Sequence, residues 1–426
     1  MASLQAIPLT HTALPRALGS VNDRARSPRG LLGFVLLLFL LSCIFDPADR
    51  VFSFKVWLFM LCWALTLLVV LSSRPHSSVP RELLLYILLF ILVPLYSIVW
   101  FFLTDSNARF EGFGMLKGYV LISLAPMLVL NRINLLPLLC AVLTLLAVAV
   151  IAVFIAIQIF PALYAGIYVF GPRTGIVYVD NRDYGSGVRL LQVYFVTSPM
   201  LAISIAHYFN RARSSLRART ATFFWVLFAI NVAGMLLAGT RNNILIAALL
   251  PILLWFLYAR SKGIGALLGL AAVTVLIALF AGELGAFFDP TEVSNSSKLS
   301  LLEDYGRILS DPQVLLLGQG LGAYDQWQRG YLYVTEFTYL ELVRNFGLFG
   351  AVVMLGLLLF PVAHAFAANR SRGDQAIAVG FACYLLMCAS NPNLFSSMGI
   401  LILSVMLANI FLTNRAAGKS PARISS

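Results

Sequence analysis

Charged side chains are scarce in this chain: Asp, Glu, Lys and Arg make up 11% of its 426 residues, against 60% hydrophobic residues. Soluble domains have about 25% charged residues, so the composition excludes an ordinary soluble domain. The net charge of +12 would suit a nucleic-acid-binding protein. Here the basic excess is concentrated in alternate loops between apolar segments, which is typical of membrane proteins, and we expect no nucleic-acid partner.

Groups that many catalytic or structural sites need are also missing. The five cysteines include no Cys-x-x-Cys pair and all lie inside apolar segments, so neither a disulfide framework nor a zinc site is predicted. The four histidines fall on or near the side predicted below to be cytoplasmic. The sequence has no Asp-x-Asp pair, P-loop, His-Glu-x-x-His or Gly-x-Ser-x-Gly motif. We therefore expect a reaction that uses no metal and no other cofactor.

Long apolar runs dominate the chain instead. Each is interpreted as a helix, because backbone polar groups in lipid must be satisfied within the segment. The predicted fold class is an all-α polytopic membrane protein, with a transmembrane domain at 30–413 between cytoplasmic tails at 1–29 and 414–426. The twelve predicted spans are about 31–45, 52–72, 83–103, 115–130, 135–159, 190–209, 220–239, 242–258, 264–281, 338–366, 376–390 and 398–413.

The distribution of charge orients these spans. The two tails and the even-numbered loops carry a net charge of +15, whereas the odd-numbered loops and their flanks carry −3. Loops rich in Lys and Arg stay in the cytoplasm, so both termini are predicted to be cytoplasmic. The two longest loops, about 161–189 and 282–336, are then expected to face outward, and their arginines, carboxylates and glycines could form a site.

The second outer loop contains a predicted helix. Ser300–Glu303 fits a capping box at its start, and Asp311 followed by Pro312 predicts its end. An amphipathic helix this close to a bilayer is expected to lie in the interface. One face would carry Leu301, Leu302, Tyr305, Ile308 and Leu309, and the other Glu303, Asp304 and Arg307.

Arginines are frequent on the predicted outer side although that side is net acidic, and arginine suits bidentate recognition of phosphate. Arg307 also fits an ion pair with Glu303 in the same helix. Arg344 fits a similar pair with Glu341, and Arg241 can snorkel at a helix end. The outer arginines are Arg173, Arg182, Arg189, Arg241, Arg307, Arg329 and Arg344.

Carboxylates at the membrane boundary are the other reactive groups on the outer side. Partial desolvation there raises a carboxylate pKa toward a value useful to a general base. Glu336 stands out, because it follows the glycine-rich segment and precedes the tenth predicted span among aromatic residues. The alternative is an ordinary solvated or helix-capping carboxylate. The outer candidates are Asp180, Asp183, Asp325, Glu336 and Glu341.

Four segments between 237 and 350 combine glycines with arginine, tyrosine or leucine: Leu237–Asn243, Gly318–Gly322, Tyr339–Leu340 and Gly347–Gly350. Together they resemble the O-antigen polymerase and O-antigen ligase superfamily. Leu237–Asn243 is similar to that superfamily's hairpin of Gly, Ser or Thr, and Arg. Gly318–Gly322 is similar to its glycine-rich turn, and Tyr339 with Leu340 to the Tyr-Leu pair that follows. Gly347–Gly350 is similar to the Gly-Leu-x-Gly that opens a span. The resemblance covers about 237–350, and the rest of the chain is similar in hydropathy alone.

The resemblance implies a glycosyltransferase of the C type that polymerises undecaprenyl-pyrophosphate-linked oligosaccharides at the periplasmic face of the bacterial inner membrane. The spacing from Arg307 to Gly318 is similar to an Arg-x10-Gly motif in large loops of the polymerases. The implied catalytic residues are Arg241 and Arg307, which would hold the pyrophosphate, and Glu336 as the base. Related ligases carry a histidine where this chain has Glu336, which favours a polymerase. The substrate contacts implied are Arg173, Arg182, Arg189, Gly318, Gly320, Tyr339 and Arg344.

The partners expected from this interpretation are the lipid-linked oligosaccharide, the lipid bilayer, a chain-length regulator and a flippase. An O-antigen ligase, which would transfer polymer to lipid A–core, remains an alternative within the same superfamily. A twelve-helix transporter is an alternative of another class, because hydropathy alone does not exclude it. The sequence shows no half-repeat, and most span interiors lack charge, which argues against transport. A structural membrane protein is a further alternative.

Overall fold

A computed structural model describes residues 28–72, 78–104, 111–183, 189–259, 263, 293–323, 337–367, 370–391 and 393–417. Within these residues the chain is mostly helical, with one two-stranded sheet. The helices before the sheet are α1 (Pro28–Phe45), α2 (Lys55–Ser72), α3 (Arg81–Thr104), α4 (Glu111–Val120), α5 (Leu124–Asn131), α6 (Leu136–Ile159) and α7 (Ala162–Thr174). The strands are β1 (Val177–Asp183) and β2 (Arg189–Phe195). The later helices are α8 (Leu201–Ser214), α9 (Ala218–Leu237), α10 (Arg241–Tyr258), α11 (Val293–Leu309), α12 (Pro312–Leu317), α13 (Thr338–Ala365), α14 (Arg372–Cys388) and α15 (Ser397–Ala417).

Six of the described helices, α2, α3, α6, α9, α10 and α13, are long and apolar enough to cross a membrane. Shorter apolar helices lie at Arg29–Phe45, Leu116–Asn131 and Ser397–Thr413. Large apolar side chains such as Trp57 and Leu71 are mostly exposed, as expected of a lipid-facing surface. The fold is therefore that of a helical membrane protein. The predicted count of twelve spans is not reached within the described residues, and the ninth predicted span lies outside them.

The sixth predicted span, 190–209, is wrong over its first part. Arg189–Phe195 forms β2, which pairs antiparallel with β1 and places Arg189 opposite Asp183. The β-branched and aromatic residues of this segment suit a strand as well as an apolar helix. The following helix, α8, has 14 residues, or about 21 Å of length, which is less than the roughly 30 Å hydrocarbon core of a bilayer. The predicted outer loop at 161–189 thus contains regular structure, α7 and β1.

Hydrogen bonds between distant segments show which loops share an end of the helical bundle. The Thr197 hydroxyl, just after β2, donates to the carbonyl of Ile44 at the end of α1 (2.9 Å). We call this the outer end. At the opposite, inner end, the Tyr258 hydroxyl donates to Oδ1 of Asn210 near the end of α8 (2.6 Å). Segments that the charge distribution assigns to one side of the membrane therefore meet at one end of the bundle.

Polar and small side chains join three central helices. The Ser204 hydroxyl on α8 donates to Oδ1 of Asn231 on α9 (2.6 Å), and Asn231 donates to the Thr144 hydroxyl on α6 (3.0 Å). Gly234 lets α9 approach α6, because a Cβ there would lie 2.7 Å from the Cβ of Ala147. Such contacts are how helices associate in lipid. This unit supports the turn between α9 and α10 at the outer end.

Helix α13 is interrupted at Gly347, whose φ of 67° and ψ of 175° are not helical. The chain that follows α12 packs into the interruption. The backbone N–H of Gln319 donates to the carbonyl of Arg344 (2.7 Å), close to the point where the first half of α13 stops. The Ser97 hydroxyl on α3 donates to the carbonyl of Asn345 (2.5 Å). Backbone groups near the interruption are thus satisfied by other segments, as burial in a membrane protein requires.

Candidate functional site

The first part of the candidate site is the turn between α9 and α10, which we call the arginine turn (Gly239–Arg241). Gly239 has a left-handed φ of 69°, and a Cβ there would lie 2.9 Å from Cγ of Gln192 on β2. Thr240 caps α10, since its side chain accepts a hydrogen bond from the backbone N–H three residues later (3.2 Å). Arg241 is the half-buried first residue of α10. A helix N-terminus and a guanidinium both favour an anion at this place.

Two hydrogen bonds bring the arginine turn and the start of α13 to the same segment, at the end of α14. Nδ2 of Asn242, the neighbour of Arg241, donates to Oγ of Ser390 (2.5 Å). The hydroxyl of Thr338, the first residue of α13, donates to the carbonyl of Asn391 (2.9 Å). Two segments that carry or border the family resemblance and are far apart in the sequence therefore contact adjacent residues at the outer end.

Buried amides lie around the arginine turn, and the sequence interpretation missed them. Asn243 is fully buried and donates from Nδ2 to Oγ of Ser198 (2.9 Å). Gln192, 8% exposed, packs on the turn. Asn393 donates from Nδ2 to the carbonyl of Val196 (3.3 Å). An amide within an otherwise apolar segment is the sequence signal that could have found them. A buried amide needs hydrogen-bond partners, so it indicates a polar contact inside the bundle.

The start of α13 carries Tyr339 and Arg344, both predicted to contact substrate. The Tyr339 hydroxyl donates to the carbonyl of Leu385 (2.7 Å), which ties α13 to α14. Arg344 is 2% exposed and forms an ion pair with Glu341, with Nε–Oε2 and Nη2–Oε1 distances of 3.0 and 2.5 Å. This is the ion pair that their spacing in the sequence allows. The guanidinium of Arg344 is enclosed by protein here, and its contact with substrate stays a prediction.

Arg307 lies near the end of α11 and is exposed. Its Nη2 is 2.6 Å from Oδ1 of Asp304, so the ion pair is not the predicted one with Glu303. The predicted capping box is also wrong, because α11 begins at Val293, seven residues before Ser300. The predicted end is confirmed: α11 stops at Leu309, and the Asp311 side chain caps α12 by accepting from the Gln313 backbone N–H (2.8 Å).

Three further predicted arginines lie near the β-hairpin. Arg173 is exposed in the last turn of α7, and α7 packs against β1. Arg182 on β1 is opposite Leu190, and Arg189 on β2 is opposite Asp183. Both strand positions are therefore at the hairpin's turn end. Whether these arginines contact substrate stays a prediction.

Gly318 and Gly320 pack against protein backbone. Both have left-handed φ values, 84° and 96°. A Cβ on Gly320 would lie 2.8 Å from the carbonyl oxygen of Ser97 on α3. Nε1 of Trp100, also on α3, donates to the carbonyl of Gly318 (3.0 Å). The described contacts show that both glycines pack against backbone. Their contact with substrate stays a prediction.

The predicted base, Glu336, lies outside the described residues, as do Asp325 and Arg329. The next residue in the chain, Phe337, places its ring edge-on to Tyr305 of α11, with 6.5 Å between ring centroids. Among the described residues, no group of three or more His, Cys, Asp and Glu side chains is placed to hold a metal ion.

These features define a helical membrane protein whose outer end gathers an arginine turn, an interrupted helix and buried amides. No protein-family model matches the chain, and no curated protein matches it. The likeness to the O-antigen polymerase and ligase superfamily therefore rests on the segments quoted above.

Proposed function

We propose that the chain is an inner-membrane glycosyltransferase that polymerises oligosaccharide repeat units carried on undecaprenyl pyrophosphate. One observation supports this most: Asn242 and Thr338 donate hydrogen bonds to the adjacent residues Ser390 and Asn391. An arginine at a helix N-terminus and the segment that follows Glu336 are thereby held at the same end of the bundle. A pyrophosphate site and a base must be neighbours for glycosyl transfer to occur.

The proposed reaction is a substitution at the anomeric carbon of the donor. The acceptor hydroxyl oxygen attacks this carbon, the bond from the carbon to the phosphate oxygen breaks, and undecaprenyl pyrophosphate leaves. Glu336 takes the proton of the acceptor hydroxyl, a role worth about 10²–10⁴ in rate. Arg241 and Arg307 stabilise the negative charge that develops on the leaving group. The donor is already activated, so the reaction needs no nucleotide and, in this proposal, no metal.

The proposed arrangement in the membrane follows the charge distribution. Twelve spans of C-type glycosyltransferase arrangement would leave both termini in the cytoplasm and the outer end in the periplasm. The exposed apolar side chains of the long helices support contact with lipid and with a polyprenyl tail. The expected partners are the lipid-linked oligosaccharide, a chain-length regulator and a flippase.

The surface polysaccharide of a deletion strain distinguishes this proposal from its alternatives. A polymerase predicts loss of long chains with a single repeat still attached to its acceptor. Free polymer with bare lipid A–core would indicate a ligase instead, and normal polymer would indicate another function such as transport. Complementation should succeed with Arg219→Ala, an inner-end control, and fail with Arg241→Ala.

A further inference from the structure

Helix α11 meets the protein through polar side chains. Of its described side chains, only Asp304 and Tyr305 are buried, at 7% and 3% exposure. Leu299 and Leu302 are 47% and 41% exposed. The leucine side therefore suits the bilayer interface, whereas the side toward the protein carries Asp304 and Tyr305, and the Tyr305 ring also lies against Phe337. The sequence predicts Asp304 on the polar face and Tyr305 on the apolar face of this helix, and both side chains are buried.

The polar contact of α11 is made with Glu341 on α13. The Tyr305 hydroxyl donates to Oε2 of Glu341 (2.6 Å), and both residues are buried. A hydrogen bond to an ionised acceptor is roughly twice as strong as one between neutral groups. Leucines that face lipid contribute little to docking against protein, because lipid tails are equally apolar. The Tyr305–Glu341 bond is thus well placed to decide whether α11 stays docked.

Glu341 is itself held rigidly. Besides the bond from Tyr305, its oxygens accept from Nε and Nη2 of Arg344 and from Nδ2 of Asn345 (3.0 Å). The Ser97 hydroxyl on α3 donates to the Asn345 carbonyl (2.5 Å). These contacts connect α11, through Glu341, to the interruption in α13 and to α3. A carboxylate whose oxygens accept several hydrogen bonds and form one ion pair is well suited to fix a neighbouring element.

We propose that Tyr305 and Glu341 are positioning residues that dock α11 and thereby place Arg307 at the substrate site. The link to Arg307 is direct, because Asp304, which precedes Tyr305, holds the Arg307 guanidinium at 2.6 Å. The functional part of this proposal rests on the proposed function, in which Arg307 binds pyrophosphate. The docking part stands on the contacts of Tyr305 alone.

A positioning role and a merely structural role have different kinetic consequences. If α11 undocks in part of the population, the apparent affinity for donor falls in proportion to the fraction that remains docked. Donor binding restores docking. The KM for donor then rises while kcat at saturation is kept. A folding defect lowers the amount of active enzyme instead, so the apparent kcat falls and KM is unchanged.

Docking can be measured with trypsin on the full chain in lipid nanodiscs. Cleavage after Lys298 or Arg307 requires α11 to open, so its rate reports the undocked population when reclosing is fast. Tyr305→Phe removes one hydroxyl and should accelerate this cleavage about tenfold. The matched control is Tyr168→Phe, an exposed tyrosine on α7, which should cleave at the wild-type rate. Cleavage of Tyr305→Phe at the wild-type rate would overturn the docking role.

Polymerisation of lipid-linked repeat units by the same proteins tests the positioning role. Tyr305→Phe should raise the KM for donor by the factor by which its docked fraction falls, about twofold when half of the population is undocked, and keep kcat within about twofold. Glu341→Gln weakens the same hydrogen bond and should also raise the KM for donor, but it leaves Arg344 without its charge partner and should lower the yield of folded enzyme as well. With kcat expressed per folded enzyme, the double variant should have a KM no higher than that of Glu341→Gln. An unchanged KM in Tyr305→Phe overturns the positioning role. If the wild type makes no polymer, the proposed function fails, while the trypsin result still decides whether Tyr305 docks α11.

Discussion

A Cβ placed on Gly318 would lie 2.6 Å from the backbone nitrogen of Gly347, so the loop after α12 and the interruption of α13 fit together as two glycines. Both residues have left-handed φ values, 84° and 67°. Two glycines of the segments that carry the family resemblance are therefore parts of one packing arrangement. This arrangement holds Arg344 and Asn345, at the end of the first half of α13, against the rest of the outer end.

This contact predicts a stability effect for Gly318→Ala and for Gly347→Ala. Each substitution adds a Cβ to a left-handed residue packed on backbone, and each should destabilise the fold by about 1–3 kcal/mol. Gly356→Ala is the control within α13, because no atom lies within 4 Å of its added Cβ. Thermal unfolding of the purified variants in detergent gives the comparison. A wild-type transition for Gly318→Ala would show that the loop does not pack as described.

The ion pair of Glu341 and Arg344 predicts non-additive effects on stability. Removing one charge leaves the other buried without its partner, so Glu341→Gln or Arg344→Met alone should cost about 3–5 kcal/mol. The double variant should recover part of this loss, because no uncompensated charge remains. The measurement is a double-mutant cycle on the free energy of unfolding. Additive losses would mean that the two charges do not interact.

Arg241 and Arg307 should each be needed for activity and dispensable for folding. Their replacement by Ala should lower turnover at least about a hundredfold, since each would stabilise charge on the leaving group. Lys should rescue only partly, because a point charge cannot reproduce the guanidinium fork. Arg219→Ala is the control and should polymerise normally. If both Ala variants keep the wild-type chain length, the pyrophosphate is bound elsewhere.

The orientation in the membrane predicts a labelling pattern. A cysteine at Ser296 on α11 should react with an impermeant maleimide in intact spheroplasts, and one at Ser214 in the basic inner loop should not. The five native cysteines are buried, so background labelling should be low. The reverse pattern would place the arginine turn in the cytoplasm and remove the basis of the mechanism.

The sequence predicted what depends on local patterns. Apolar runs gave most helix positions within a few residues, and spacing within one helix gave the Glu341–Arg344 pair. The pattern was ambiguous at Arg189–Phe195, where a short apolar run with β-branched and aromatic residues suits a strand or a helix. Arg307 has two acidic residues at helical spacing, Glu303 and Asp304. Which of them forms the ion pair depends on how α11 packs.

Contacts between distant segments were not predictable from one sequence. The bond from Asn242 to Ser390 joins residues 148 positions apart, and no local pattern specifies such a pairing. Tyr305 was predicted on the apolar face of its helix, and its buried acceptor on α13 could not be inferred from that face. The family resemblance pointed to Gly318 and Gly347, but their contact with each other depends on the tertiary fold.

The central claim is tested most directly with purified protein and undecaprenyl-pyrophosphate-linked repeat units in excess chelator. The wild type should produce polymer and release undecaprenyl pyrophosphate without added metal. Glu336→Gln should bind the donor normally and lose turnover at least about a hundredfold, as expected for a general base. Near-normal turnover in Glu336→Gln would reject that residue as the base. The absence of polymer with the wild type, or strict restoration by added magnesium or manganese, would contradict the account.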